Sequence, residues 1–239
     1  MTDGEFNQWL WSSMVVLGCG IAAGVLLWAL QDYRKWRSLG KGGLPANVAG
    51  WAVMTALRLL KRDPISTRQY DHRHTADARL TALPQRTGLR PSIAVYPVPH
   101  RQMDQLPGPE MQQKVERLFA QTVAQASNLL TFQLSKFETR HQAVFARDLT
   151  HVHPLAQETR GEIAHIHPSD GSMHMIFSPS DAKAVIEAGW GERHPLAGVL
   201  PHMHDTYVFI YPPRSEEELA VVASLLQAAI AALAGDSSL

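Results

Sequence analysis

Residues 162–198 read EIAHIHPSDGSMHMIFSPSDAKAVIEAGWGERHPLAG, and this stretch decides the fold. Pro168-Ser169-Asp170-Gly171 is a turn signal between two short apolar runs, Gly161–His167 and Ser172–Phe177, which predicts an antiparallel strand pair. Ser178-Pro179-Ser180-Asp181 then has the grammar of a helix start: a Ser cap, Pro in the first turn and an early acidic residue. That helix is predicted to stop at Gly189, a residue free to take the left-handed conformation of a helix C-terminus.

The flanking chain repeats the same elements. Towards the N-terminus the pattern predicts a strand over Ser92–Val98, a helix over Pro109–Ala126, and strands over Leu129–Glu138 and Ala143–Arg147. Towards the C-terminus it predicts a strand over Thr206–Tyr211. A capping box, Ser215-x-x-Glu218, then opens a last helix with Leu219, Val222, Leu226, Ile230 and Leu233 on one face. Paired strands with helices between and after them define an α+β class with a largely antiparallel sheet and flanking helices.

The same stretch concentrates chemistry. Nine of the twelve histidines fall between His141 and His204. In a strand, residues two apart share a face, so His165 and His167 point one way and the turn can return His174 beside them. By the same alternation Glu162 is expected on the opposite face, leaving Glu138 on a neighbouring strand as the accompanying carboxylate. Three imidazoles on one wall suit a cupin-like metal site. They equally suit unmetallated acid/base groups lining an organic pocket, or histidines that only pack within a sheet. Downstream, Trp190 offers a flat apolar surface, and Arg193, beside His194, offers a planar fork for a carboxylate or enolate. A capping loop with a buried Trp190 is the plainer alternative. His151-x-His153 and His202-x-His204 stand in Pro-containing loops and read as solvated.

Other chemistries are poorly supported. Lys+Arg and Asp+Glu are equal at 22 each, which gives no reason to expect nucleic acid as a partner. One cysteine, Cys19, excludes an internal disulfide framework and Cys-rich zinc sites. There is no Gly-x-Ser-x-Gly elbow, no phosphate-binding GxxxxGK[ST] loop and no His-Glu-x-x-His helix.

No charged residue occurs from Asn7 to Gln31, long enough for a membrane-spanning helix. Trp9, Trp11 and Trp28 lie near its ends. Asp3 and Glu5 precede it where a signal peptide would carry positive charge, while Arg34, Lys35, Arg37 and Lys41 follow it. The expectation is a single anchor with its amino end outside and the bulk of the protein, including the α+β domain, cytoplasmic. Val48–Leu60 is too short to span; it reads as a helix on the membrane surface, packed against the domain, or within a core. The chain divides into an anchor (1–35), an amphipathic helix with irregular lead-in (36–90), and an α+β domain (91–239).

Glu162-Ile163-Ala164-His165-x-His167, His174 and the block Gly189-Trp190-Gly191-x-Arg193-His194-Pro195-Leu196-Ala197-Gly198 resemble the fungal luciferase family. The resemblance extends to the N-terminal helix, Asp32-Tyr33, Tyr70-Asp71, Leu83-Pro84, Arg90-Pro91-Ser92-Ile93, Ser135-Lys136-Phe137-Glu138 and Tyr211-x-Pro213-Arg214. It implies a membrane-associated oxygenase of 3-hydroxyhispidin, a phenolic α-pyrone, with molecular oxygen as co-substrate and no flavin, haem or metal. The implied product is caffeylpyruvate, formed with loss of carbon dioxide and emission of light. On that reading His165, His167 and His174 are candidates for the base, with Glu138 orienting. Arg193 and His194 are candidates for holding the anion, and Trp190, Tyr211 and Arg214 for binding the substrate. Sequence departures leave another enolisable pyrone or phenol open as the physiological substrate, and oligomeric state is not legible.

Overall fold

The computed structural model describes residues 2–73, 78–149, 154–201 and 203–234. Helix α1 (Asp3–Ser38) begins with a reciprocal cap: the Thr2 side chain accepts from Glu5 N–H, and the Glu5 carboxylate accepts from Thr2 N–H. It is the one helix among the described residues long and apolar enough to cross a membrane. Its apolar length is exposed, but its C-terminal end is built into the rest of the protein. Trp36 is buried and its indole donates to the Val98 carbonyl at 2.7 Å. Asp32 accepts from Trp51 Nε1 (2.8 Å), Arg58 Nη2 (2.9 Å) and Tyr96 OH (3.1 Å). Helix α2 (Val48–Leu57) lies against this end, with Met54 sharing a small core with Trp36 and Tyr96.

The domain is a six-stranded sheet in the order β1-β2-β3-β4-β6-β5, antiparallel throughout. Its strands are β1 (Leu130–Leu134), β2 (Gln142–Ala146), β3 (Glu162–Ile166), β4 (Met173–Ile176), β5 (Gly191–Arg193) and β6 (Tyr207–Ile210). Helices α3 (Pro109–Gln125), α4 (Pro154–Glu158), α5 (Pro179–Glu187) and α6 (Glu216–Ala234) complete the domain. Val222, Leu225, Leu226, Ala229, Ile230 and Leu233 of α6 join one core with Ala164, Met173, Met175, Val208 and Ile210 of the sheet. Each large aliphatic side chain buried there contributes about 1.5–3 kcal/mol. The Ser178 cap forms as expected, accepting from Asp181 N–H, and the Asp181 carboxylate accepts from the Arg79 and Leu80 N–H groups to fasten the lead-in.

Four local departures from the sequence reading have physical causes. Ser92–Val98 is not a strand: a single bridge joins Ile93 to Gln102, because Pro91, Pro97 and Pro99 have no N–H to give to a ladder. The first strand stops at Leu134 rather than reaching Glu138. Ser135 Oγ accepts from the N–H groups of Phe137 and Glu138, so Glu138 sits in a turn. Strand β5 and helix α4, of three and five residues, are too short to leave a periodic signal.

Candidate functional site

The sheet register builds the site. Gln133, Ala143, His165, His174, Phe209 and Glu192 form one rung across the six strands. The alternation then puts His194 and Tyr207 on the same face. A β-bulge in β3 adds Glu162: Val144 pairs with Ala164, but Phe145 pairs with Glu162, so Ile163 is the extra residue. The bulge reverses the alternation and turns Glu162 onto the histidine face. This corrects the expectation that Glu162 faces away. Its Oε1 accepts from His165 Nδ1 at 2.7 Å and from Ser135 Oγ at 2.8 Å, and its Oε2 accepts from Lys136 N–H at 2.6 Å.

His165, His167 and His174 have ring centroids 5.0–5.3 Å apart. His174 stacks flat on Tyr207 at 4.4 Å and 9°. His100 comes from the proline-bounded loop and closes the wall, 4.3 Å from the Phe209 ring and 5.0 Å from that of His194. All five imidazoles are buried.

Their hydrogen bonds assign tautomers. Glu162 accepts at both oxygens, Oε1 from Ser135 Oγ and Oε2 from the Lys136 N–H, so His165 Nδ1 is the donor in its bond to Oε1 and carries a hydrogen. The Ser172 hydroxyl donates to Asp170 Oδ1 at 2.8 Å, and its oxygen accepts from His167 Nδ1 at 2.8 Å. Both Nε2 atoms, 3.3 Å apart, are then left as acceptors facing each other. That pair can take up one proton and share it. His194 is committed elsewhere: its Nδ1 accepts from Leu196 N–H at 3.1 Å, and the backbone of Pro97 bonds to its ring. His100 Nε2 meets Glu192 Oε1 at 3.2 Å, and Tyr211 OH donates to Glu192 Oε2 at 3.0 Å.

Burial, reinforced by Arg101 and the neighbouring histidines, holds His167 well below the ordinary imidazole range. Burial and the surrounding imidazoles do the same to His174, and burial with His100 to His194. These three are neutral near pH 7. Burial, with Glu162 and Glu138, raises the Tyr207 phenol well above its ordinary value, so it stays protonated.

The remaining expected residues divide. Glu138 Oε1 lies 3.6 Å from His167 Nε2, and Glu138 is paired with Arg101 at 3.0 Å. Tyr211 joins the wall through Glu192. Arg193 does not: it pairs with Val208 in the register, on the opposite face from Glu192, and its Nη2 donates to the Asp63 carbonyl at 2.6 Å. Trp190 is buried in the main core with its indole donating to the Pro84 carbonyl. Arg214 clasps Glu218, Thr87 and Gln105, none of them on the wall. His151 and His153 lie outside the described residues, as does His202; His204 is partly exposed beside Asp205.

His100, Arg101, Glu192, Tyr207 and the Asp170–Ser172 pair were not anticipated. Tyr207 was open to strand alternation, but Glu192 lies in the three-residue β5, and His100 and Arg101 sit in a loop that no periodicity ties to the sheet.

Two sets of three imidazoles bring one nitrogen each within 4.8 Å of one another: His165, His167 and His174, and His100, His174 and His194. In the second set His194 has both nitrogens engaged, leaving no lone pair for an ion. In the first, the Nδ1 atoms of His165 and His167 are backed by carboxylates, directly or through Ser172, as metal-bound histidines commonly are.

The wall is a class of site in which buried imidazoles and carboxylates stand within hydrogen-bond reach of one another, side chains able to accept and donate protons. A family model described as a luciferase domain matches residues 160–229, from the start of β3 into α6. The chain is 33% identical over 220 residues to a luciferase of Armillaria gallica, covering 86% of this chain and 82% of that one. It is 31% identical over 240 residues to a luciferase of Armillaria mellea (93% and 89%). It is 30% identical over 234 residues to a luciferase of Neonothopanus nambi (93% and 86%). The chain belongs to this luciferase family. No solved structure matches it.

Proposed function

We propose that this protein is a membrane-anchored, cofactor-independent oxygenase that oxidises an enolisable α-pyrone of the 3-hydroxyhispidin type. The observation that carries the proposal is the His165–His167 pair, two buried imidazoles whose Nε2 atoms face each other while the Glu162 carboxylate holds the Nδ1 hydrogen of His165 and the Ser172 hydroxyl that of His167. Such a pair takes the enol proton of the pyrone and leaves an electron-rich enolate able to react with dioxygen directly. Oxygen adds across the ring, carbon dioxide leaves, and the proton returns to the open-chain keto acid, so one dioxygen is consumed for each carbon dioxide released. Tyr207, held protonated beside His174, donates a hydrogen bond to developing oxyanions or phenolic oxygens, while Tyr211 keeps its hydrogen on Glu192. The docking of Trp36 and Asp32 against the domain supports retention of α1 as an anchor. The basic residues after it support a cytoplasmic domain.

A second reading, a metal-dependent dioxygenase, is favoured by the close grouping of His165, His167 and His174. One experiment separates them. Purified protein is given 3-hydroxyhispidin and oxygen, with photons and oxygen uptake recorded, and metal content is measured in parallel. Uptake at negligible metal content supports the proposal, and light identifies luminescent turnover. Uptake that tracks stoichiometric iron or manganese supports the second reading. A folded protein giving neither uptake nor light rejects this substrate.

A further inference from the structure

Arg101 is almost fully buried, yet its Nε has no hydrogen-bond partner among the described residues. Its two terminal nitrogens are occupied: Nη2 by Glu138 (3.0 Å) and the Lys41 carbonyl (3.1 Å), and Nη1 by the His100 carbonyl (3.0 Å). Gly43 packs against the turn that carries Glu138: a Cβ there would stand 2.6 Å from the Phe137 carbonyl oxygen. Arg101 lines a cavity of about 370 Å³ whose other walls include Lys41, Arg140, His141 and Pro168. A second cavity of about 250 Å³ shares His141 and Pro168 and is lined by Phe119, Phe132 and Ile166, with Glu116 its one acid. One cavity is therefore cationic, the other aromatic and apolar, and they meet at His141 and Pro168. Pro168 directly follows His167, and Glu138 stands between Arg101 and the His167 ring.

We infer that these adjoining cavities are the vestibule of the active site and bind an aromatic organic anion. Its carboxylate or enolate sits among Lys41, Arg101 and Arg140, and its ring lies across His141 towards Phe119 and Phe132. The inference rests on the proposed reaction, whose product is an aromatic keto acid, and it gives that acid a path past Glu138. Because Lys41 follows α1, the mouth lies beside the membrane-proximal end of the domain. Lys41 and Arg140 are exposed and can be changed without disturbing the core.

The test is calorimetric titration of the full chain in nanodiscs of zwitterionic lipid, with caffeate and its uncharged methyl ester as probes and no turnover. Caffeate is expected to bind at least tenfold tighter than the ester. The Lys41→Gln/Arg140→Gln double variant should weaken caffeate about three- to tenfold, as expected for two exposed charges, and leave the ester unchanged. Equal affinity for acid and ester, or no effect of the double variant, overturns the inference. So does displacement of caffeate by phosphatidylglycerol in the nanodisc or by inorganic phosphate at matched ionic strength, which would mark a phosphate site instead. Caffeate binding without oxygen uptake from 3-hydroxyhispidin would reject the proposed reaction and keep the vestibule; uptake with equal binding of acid and ester would do the reverse.

Discussion

Glu162→Gln tests the proton-transfer scheme most directly. Glu162 Oε1 serves both Ser135 and His165, while Oε2 serves the Lys136 N–H. A glutamine of the same shape cannot accept at both oxygens. If its amide nitrogen faces Lys136, two donors meet and a buried N–H is left unpaired. If it faces His165, the imidazole must move its hydrogen to Nε2 and lose the lone pair facing His167. The first outcome costs stability, about 1–3 kcal/mol for an unsatisfied buried donor. The second removes the base, which in general acid–base catalysis is worth ~10²–10⁴-fold, or roughly 3–5 kcal/mol of barrier. The predicted result is a kcat for oxygen uptake lowered by ~10²–10⁴ with native far-UV circular dichroism and a melting temperature down by a few degrees. A Glu162→Gln protein within threefold of wild-type kcat and with an unchanged melting temperature would refute the tautomer argument and with it the role of the His165–His167 pair.

Further outcomes follow from the same geometry. His167, His174 and His194 have folded pKa values held below the unfolded value of 6.5, so the unfolded chain binds more protons under acid conditions. Stability should therefore be retained above about pH 6.5 and fall below it, by up to ~1.4 kcal/mol per pH unit for each histidine; urea denaturation from pH 7.5 to 5 should show this slope, reduced in His174→Gln. Replacing His174 by Ala removes the ring stacked on Tyr207 and should abolish turnover in a folded protein; full activity would remove it from the mechanism. Arg193→Gln, acting on the face away from the wall, should lower stability by about 1–3 kcal/mol while kcat changes less than tenfold, as read by thermal melts beside oxygen-uptake kinetics. Asp32→Ala strands Trp51, Arg58 and Tyr96 at the root of α1 and should cost about 1.5–3 kcal/mol, seen as faster proteolysis within residues 39–47.

The elements with long periodic or capped signatures were legible in the chain. Ser178 and Ser215 announce α5 and α6, and the Pro168–Gly171 turn announces the β3–β4 hairpin that returns His174 to His165. What escaped was non-periodic. The bulge at Ile163 exists only because β2 imposes its register on β3, so Glu162 could not be assigned to its face from spacing. Arg193 has the chemistry of an anion clamp, but one strand step from Glu192 puts it on the far side of the sheet. His100 and Arg101 reach the site because Trp36 holds Val98 and Asp170 accepts from the Gln102 N–H, contacts spanning some sixty-odd residues each.

Sequence alone determined the antiparallel α+β class, the apolar helix at the N-terminus and the family, because helix caps, turn residues and hydrophobic periods are local properties of the chain. Tertiary structure decided which carboxylate backs which imidazole and which cation stands near them. Those pairings depend on register, a bulge and loop docking, and these are set by contacts between segments that no local pattern encodes.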